Sequence, residues 1–482
     1  MNVGSSLARS RIVAKPGIVH LGPGAFFRAF GAVYTDEVLR AAGGDWGIIA
    51  VSLQSDRAKR ELAPQDHVYT AVEMGPKGEA FQVVEAISDV LVAREDPQQV
   101  LAAMADPAIK IVSLTITEKG YCRDAGTGAL RREDADIQHD LADLQKPKTA
   151  LGFIVSALKT RRAKGLRPFT VLSCDNLPDN GATARAVILE FATACDPGLA
   201  EWIAEHGRFP ATMVDRITPA TTAQDIARLA EKRGYRDLAC VYHEPFRQWV
   251  IEDQFVDDAR PDWDMVGAQF VASVQAHEAM KLRCLNGTHS ALAYLGYLAG
   301  HETIAGAVAD PDFAALCRKL WRTEILPTLT PPEGEDLAAY VVSLMARYAN
   351  PAIQHRTWQI AMDGSQKLPQ RFLGTIADNL ASGRSVDGLC LAVAGWMRYV
   401  GGMDEQGAAI DVRDPMADQL KAASDAGRTD AEKVDALMAL RAVFPDNLVS
   451  NAVFRSDVLT AYETLRTQGA ARTVAAYVGG SA

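Results

Sequence analysis

The chain of 482 residues has no uninterrupted apolar run approaching the ~20 residues of a membrane-spanning helix, and its start, MNVGSSLARSRIVAKPG, lacks the apolar centre of a secretion signal. A cytoplasmic location is expected. The seven cysteines form no CxxC pair, so neither a disulfide framework nor a structural zinc site is expected. Positive charge is in deficit as well. A formal net charge of −10 argues against nucleic acid or an anionic membrane as the main partner, and leaves a small molecule held in a local basic pocket. There is no internal repeat and no low-complexity linker. With 48% hydrophobic and 23% charged residues the composition is that of a packed globular protein, and its length exceeds what one core supports, so two or three domains are expected.

The first half alternates strand and helix signals. Ile18, Val19 and Leu21 read as a buried strand, Gly22-Pro23-Gly24 as a tight turn, and Phe26 to Arg40 as a helix closed by Gly43 and Gly44. Strand, glycine turn and helix together present backbone N–H groups to a pyrophosphate, although Phe27 stands where the third glycine of GxGxxG belongs. The candidates at this turn are Gly22, Gly24, Ala25, Phe26 and Arg28. The strand from Trp46 ends near Asp56, which suits the ribose of NAD, and Arg57, which suits the 2′-phosphate of NADP. Val68 to Val72 and Phe81 to Val84, joined by GPKG, are expected as an antiparallel hairpin inserted in the sheet. Further strands end at Thr117 and Lys119, at Asp175 and Asn176, and at Asp215. Strands alternating with helices imply a parallel sheet, whose ligands bind beyond the carboxyl ends of the strands, where these residues fall. The ordinary alternative for each is a polar loop residue or helix cap, as Asp179 or Asn180 would be for the helix ending near Ala194.

From about Met265 the pattern is helical almost to the end, so a second, α-rich domain is expected to begin at 265–275. Its first core segment, KLRCLNGTHSALAYLGYLAG, carries Lys281, Asn286 and His289 beside the apolar Leu285, Ala291, Leu292, Leu295 and Leu298. A buried lysine can act as a proton acceptor near neutral pH, Asn286 can donate a hydrogen bond to an oxyanion, and His289 can orient the same oxygen. The ordinary alternative is a snorkelling lysine, a helix ended by Asn286-Gly287 and a satisfied core histidine. Later, NPAIQHRTWQIAMDGSQKLPQR concentrates His355, Arg356, Gln359, Lys367 and Arg371, either as a charged loop or as a carboxylate site.

IVHLGPGAFFRAF, TITEKGY, SCDNLPDNG, MVDRITP, QWVIED, KLRCLNGTHSALAYLG and IAMDGSQKLPQ run in order from residue 18 to about 370. Together they resemble the mannitol dehydrogenase family of long-chain polyol and hexuronate dehydrogenases, which includes fructuronate reductase. The resemblance implies an α/β fold with an N-terminal Rossmann-type, mostly parallel sheet (1–270) and a mostly α-helical C-terminal domain (271–482). It implies an NAD(P)-dependent secondary-alcohol dehydrogenase without a catalytic metal, using NAD with NADP not excluded, and a monomer or small homo-oligomer. By position, the general base falls on Lys281, the oxyanion-stabilising asparagines on Asn286 and Asn176, and the orienting histidine on His289, with Asp215 near the site. Where mannitol-type members carry an arginine just before IA this chain has Gln359, and HRTWQIAMDGSQKLPQR is similar to the fructuronate reductase branch. Arg356, His355, Gln359 and Lys367 are then expected at the substrate's acidic end, for fructuronate and mannonate. The alternatives are a mannitol- or arabinitol-type enzyme, a β-hydroxyacid or 6-phosphogluconate dehydrogenase, and a non-catalytic NAD-binding protein.

Overall fold

In this computed structural model, which describes residues 5–124 and 126–480, the chain divides into two compact units, Met1–Gln275 and Ala276–Ala482. The first contains strands β1 (Ser5–Ser6), β2 (Pro16–Leu21), β3 (Gly47–Ser52), β4 (Tyr69–Gly75), β5 (Gly78–Val84), β6 (Ile87–Val92) and β7 (Ile111–Leu114). These are followed by β8 (Thr170–Ser173), β9 (Thr212–Asp215), β10 (Tyr235–Arg236), β11 (Val241–His243), β12 (Gln248–Glu252) and β13 (Gln269–Val271).

The central sheet has the order β6-β3-β2-β7-β8, and every pairing in it is parallel. Helices cover both faces, so its strands are apolar at consecutive positions rather than at alternate ones. Val19, Val112 and Val171 pack into one core with the helices Pro97–Ala105 and Ala150–Ala163, whereas Ile18, Ile111 and Leu172 pack into another with Phe30, Val33 and Tyr34. From β2 the chain moves outward to β3 and β6, then returns to the other side for β7 and β8. The carboxyl ends of β2 and β7 therefore flank the point where strand order reverses, the usual ligand position in such sheets.

Three expectations need correction. The hairpin of β4 and β5 is antiparallel as expected, but it lies outside the parallel sheet and forms its own three-stranded sheet with β11. The helix expected over Phe26 to Arg40 is two helices, Ala25–Ala29 and Gly31–Ala41, because Phe30 leaves helical geometry at φ −131° and ψ −91°. The stretch from Met265, expected to be helical, first forms β13, which pairs in parallel with β12.

The second unit is helical. A continuous run begins with Gln275–Met280, widens into a π-helix over Lys281–Gly287 and continues as Thr288–Leu298. The helix Asp387–Val400 lies against it so closely that a Cβ at Gly395 would stand 2.7 Å from Leu295 Cδ2. Among the described residues no helix is long and apolar enough to cross a membrane.

One glycine of the first unit gives a direct test of this packing. A Cβ at Gly181, in the helix Asn180–Cys195, would stand 2.5 Å from the Phe209 carbonyl oxygen and 2.6 Å from the Ala211 nitrogen, both rigid backbone. Gly181→Ala is expected to destabilise the protein by about 1–3 kcal/mol in denaturant unfolding. An unchanged midpoint would contradict the close approach.

Candidate active site

The glycine turn after β2 is built by a proton-ordered chain of hydrogen bonds. Gly22 has φ +92°, and any Cβ there would collide with the Thr115 carbonyl oxygen, so only glycine fits. The Gly22 carbonyl accepts from the Thr115 hydroxyl at 2.6 Å. Since Thr115 spends its proton there, its oxygen accepts from His20 Nε2–H at 2.9 Å, and His20 Nδ1 accepts from the Ser113 hydroxyl at 2.8 Å. Burial pushes His20 down to about 3, which keeps it in this neutral form.

Gly24 is different. It is exposed, its φ is an ordinary −72°, and a Cβ there would meet nothing nearer than the Gly22 oxygen at 3.9 Å. The fold does not require glycine at 24. The clear space above the backbone, at the start of the helix that begins with Ala25 and Phe26, fits the close approach of a dinucleotide's phosphates. Arg28, expected at this turn, points into the unit instead. Its guanidinium donates to the Ala239 carbonyl at 3.1 Å and pairs with Glu61 at 3.6 Å. Asp56 lies past the end of β3, 3.4 Å from Arg60, and Arg57 is tied to Glu61 at 2.6 Å.

Beyond β7, Thr117 has φ +62° and ψ +167°, a region otherwise populated by glycine, at a cost of about 1–3 kcal/mol. Lys119 is exposed on the 3-10 turn that follows. Beyond β8, Asn176 is exposed, and the peptide before it is pinned because Asn180 Nδ2 and the Leu177 N–H both donate to the Asp175 carbonyl at 2.9 Å. Asp179 caps the next helix through the Ala182 N–H. Asp215 closes β9 and is buried.

In the second unit, the π-helical stretch decides how the KLRCLNGTH motif is displayed. In an α-helix residues five apart diverge around the axis, but i→i+5 hydrogen bonding brings them close to one face, so Lys281 and Asn286 share a side. The motif does not end the helix at Asn286-Gly287. Side chains donate to the backbone carbonyls along this wider turn. Trp321 Nε1 and the Thr288 hydroxyl donate to the Cys284 oxygen at 3.1 and 2.6 Å, the Tyr348 hydroxyl to that of Leu285 at 2.7 Å, and Arg371 to that of Asn286 at 3.4 Å.

Lys281, Asn286 and His289 are all buried, at 8%, 8% and 7% exposure, too little for a snorkelling surface lysine. The His289 ring stacks on Tyr348 at 5.2 Å and meets His355 edge-on at 4.8 Å. Arg371 Nη1 donates to the Ser290 hydroxyl at 2.8 Å, and Lys367 Nζ to the carbonyls of Met362 and Ile360 at 2.5 and 3.2 Å. Gly364 seats the Lys367 turn, because a Cβ there would stand 2.6 Å from the Tyr294 hydroxyl.

The hydrogen-bond partners of Lys367 and Arg371 are neutral, and the carboxylates of Asp363 and Asp414 only partly offset the positive charge around Lys367. Burial, then His355, Arg371, Arg347 and Lys367, hold His289 well below its ordinary range, and burial with Lys367 lowers His355 to about 4. Burial, then Arg371, lowers Lys367 to about 8. Three buried polar atoms here, Asn286 Nδ2, His289 Nε2 and His355 Nδ1, have no partner within the protein. A half-buried cluster with two cationic side chains and unfilled hydrogen-bond positions is suited to an anionic, oxygen-rich ligand.

Of the basic run, then, His355 and Lys367 join His289, whereas Arg356 and Gln359 are exposed. Arg371, Tyr348 and Ser290 complete the cluster. Arg371 was visible in sequence as part of the basic run, but Tyr348 and Ser290 carried no signal beyond core helix positions.

Residues 16–265 match the mannitol dehydrogenase Rossmann domain, and residues 273–466 the mannitol dehydrogenase C-terminal domain. The chain is 50% identical to D-mannonate oxidoreductase of Escherichia coli (strain K12), over 95% of both chains. It is 41% identical to a mannitol 2-dehydrogenase of Aspergillus fumigatus, over 98% of this chain and 94% of the other. The solved Pseudomonas fluorescens mannitol 2-dehydrogenase, in ternary complex with NAD and D-mannitol, superposes with a TM-score of 0.89 at 38% identity, covering 98% of this chain and 97% of the other. Rossmann sheet, glycine turn, helical second unit and full-length similarity agree, and the chain belongs to the mannitol dehydrogenase family.

Proposed function

We propose that this protein is an NAD-dependent oxidoreductase that interconverts a hexuronate ketone and its secondary alcohol, of the fructuronate and mannonate type. The observation that carries the substrate class is the basic cluster of the buried His289 with the half-buried His355, Lys367 and Arg371, in which the lysine and arginine hydrogen-bond only to neutral groups. A neutral polyol gains little from such a field, whereas a carboxylate is attracted by it. The 50% identity to a D-mannonate oxidoreductase supports the same reading. The 41% identity to mannitol 2-dehydrogenases favours a second reading, a neutral ketose and polyol pair.

The open backbone at Gly24 and the amides of Ala25 and Phe26 would hold the pyrophosphate, and Asp56 the adenosine ribose. An acidic residue at 56 favours NAD. When bound, the nicotinamide gives or takes the hydride. In reduction, protonated Lys281 delivers a proton to the ketone oxygen. In oxidation, neutral Lys281 removes the hydroxyl proton from the alcohol. Asn286 Nδ2 donates a hydrogen bond to the oxygen as charge develops on it, and His289 Nε2 fixes its direction.

Two measurements test this reading. Gly24→Ala is expected to raise Kd for NADH about tenfold or more by fluorescence titration while leaving Tm unchanged; unchanged affinity would remove the turn from cofactor binding. NADH oxidation should be far faster with fructuronate than with fructose. Because Lys367 loses its proton near pH 8, kcat/KM for the acid relative to the neutral ketose should fall above that pH, approaching about tenfold per unit. A preference for fructose, or a ratio independent of pH, would favour the neutral-substrate reading.

A further inference from the structure

Thr117 occupies a backbone region that is nearly closed to any residue with a Cβ, and β-branched residues tolerate it least. Such a conformation persists only where its surroundings enforce it. The enforcing group is the carboxylate of Asp175, at the end of the neighbouring strand β8. Its oxygens accept from the Thr117 N–H at 2.8 Å, the Ile116 N–H at 3.1 Å and the Tyr121 hydroxyl at 2.8 Å. Tyr121 is itself fixed by Ser173 Oγ at 2.5 Å. The carboxylate is buried, and every donor around it is neutral.

The same residue is tied at its other end. The Asp175 carbonyl accepts from Asn180 Nδ2, and Asn180 in turn accepts from the Thr212 N–H at 2.9 Å. Two residues before Thr117, the Thr115 carbonyl oxygen fills the space a Cβ at Gly22 would need, and the Thr115 hydroxyl holds the Gly22 oxygen. Asp175 thus stands at the centre of a chain of contacts that joins the ends of β2, β7 and β8, and it immediately precedes Asn176.

We propose that Asp175 is a positioning residue for the reaction: by gripping the Ile116 and Thr117 amides it holds Thr117 in a glycine-like conformation, and so fixes the end of β7 in the arrangement that turnover requires. This rests on the dehydrogenase reading above. Asp175 itself touches no reacting atom; it acts through the backbone at 117. Asparagine at 175 keeps the size but replaces one accepting oxygen with an NH2 group that faces an N–H, so the grip is lost and threonine relaxes to an ordinary conformation. Glycine at 117 needs no such grip.

The test is a cycle of four full-length proteins: wild type, Asp175→Asn, Thr117→Gly and the double variant. Each is measured for kcat with fructuronate and NADH, for Kd of NADH by fluorescence titration and for Tm. In the threonine background Asp175→Asn should lower kcat on the order of 10²-fold, as expected for a displacement near 1 Å, with NADH affinity within about threefold. In the glycine background the same substitution should lower kcat less than about fivefold. Thr117→Gly should by itself raise Tm, because the strain is relieved.

Equal losses in both backgrounds, or a wild-type kcat for Asp175→Asn, would overturn the proposal. So would a lower Tm for Thr117→Gly. If Asp175→Asn does not fold, Tyr121→Phe, which removes one donor to the carboxylate, takes its place in the cycle with a severalfold loss expected only in the threonine background. A wild type inactive on both hexuronates and ketoses would instead reject the dehydrogenase reading, while the Tm comparison would still decide whether the strain exists.

Discussion

The second unit depends on side chains that bond the backbone carbonyls of a widened turn in a buried helix. Around the π-helical stretch at Lys281–Gly287, Trp321, Thr288, Tyr348 and Arg371 all donate to its carbonyl oxygens, each such bond being worth about 1 kcal/mol net. Those same side chains shape the candidate site. Tyr348 bonds the Leu285 carbonyl with its hydroxyl and stacks its ring on His289, and Arg371 bonds the Asn286 carbonyl while adding charge beside Lys367. Helix geometry and site chemistry here share one set of interactions.

The first unit shows the same economy at the ends of its parallel strands. Gly22 and Thr117 both have positive φ, and each is held by a neighbouring strand, Gly22 by Thr115 and Thr117 by Asp175. Both lie at the place where strand order reverses, at the ends of buried parallel strands. Rigid strands supply precision, and the few strained residues supply shape.

The sequence made the strand and helix alternation, the glycine turn, the parallel sheet and the helical second unit legible, because continuous apolar runs and glycine placement are local signals. The π-helical stretch was hidden, since an apolar run of this kind fits a 3.6-residue period equally well, and what stabilises the wider turn comes from Trp321 and Tyr348, far along the chain. The separate hairpin sheet was hidden for the same reason, as β11 pairs with β4 across more than a hundred residues. Arg28 looked like a cofactor ligand from its place after the turn, but its partner Ala239 could not be read from sequence. Within the basic run, Asp363 at φ +55° breaks the helix and turns Lys367 inward while Arg356 and Gln359 stay out, an outcome that spacing alone did not distinguish. Asp175 was overshadowed by Asn176, and Thr117 gave no sign of its conformation, because threonine is a poor residue for it.

The central claim is that the buried amine of Lys281 exchanges a proton with the reacting oxygen. The most direct measurement is chemical rescue: Lys281→Ala should lose on the order of 10²–10⁴-fold in kcat while still binding NADH, and added primary amines should restore turnover in proportion to their basicity. Near-wild-type turnover of Lys281→Ala, or a deep loss that no amine relieves, would contradict the account.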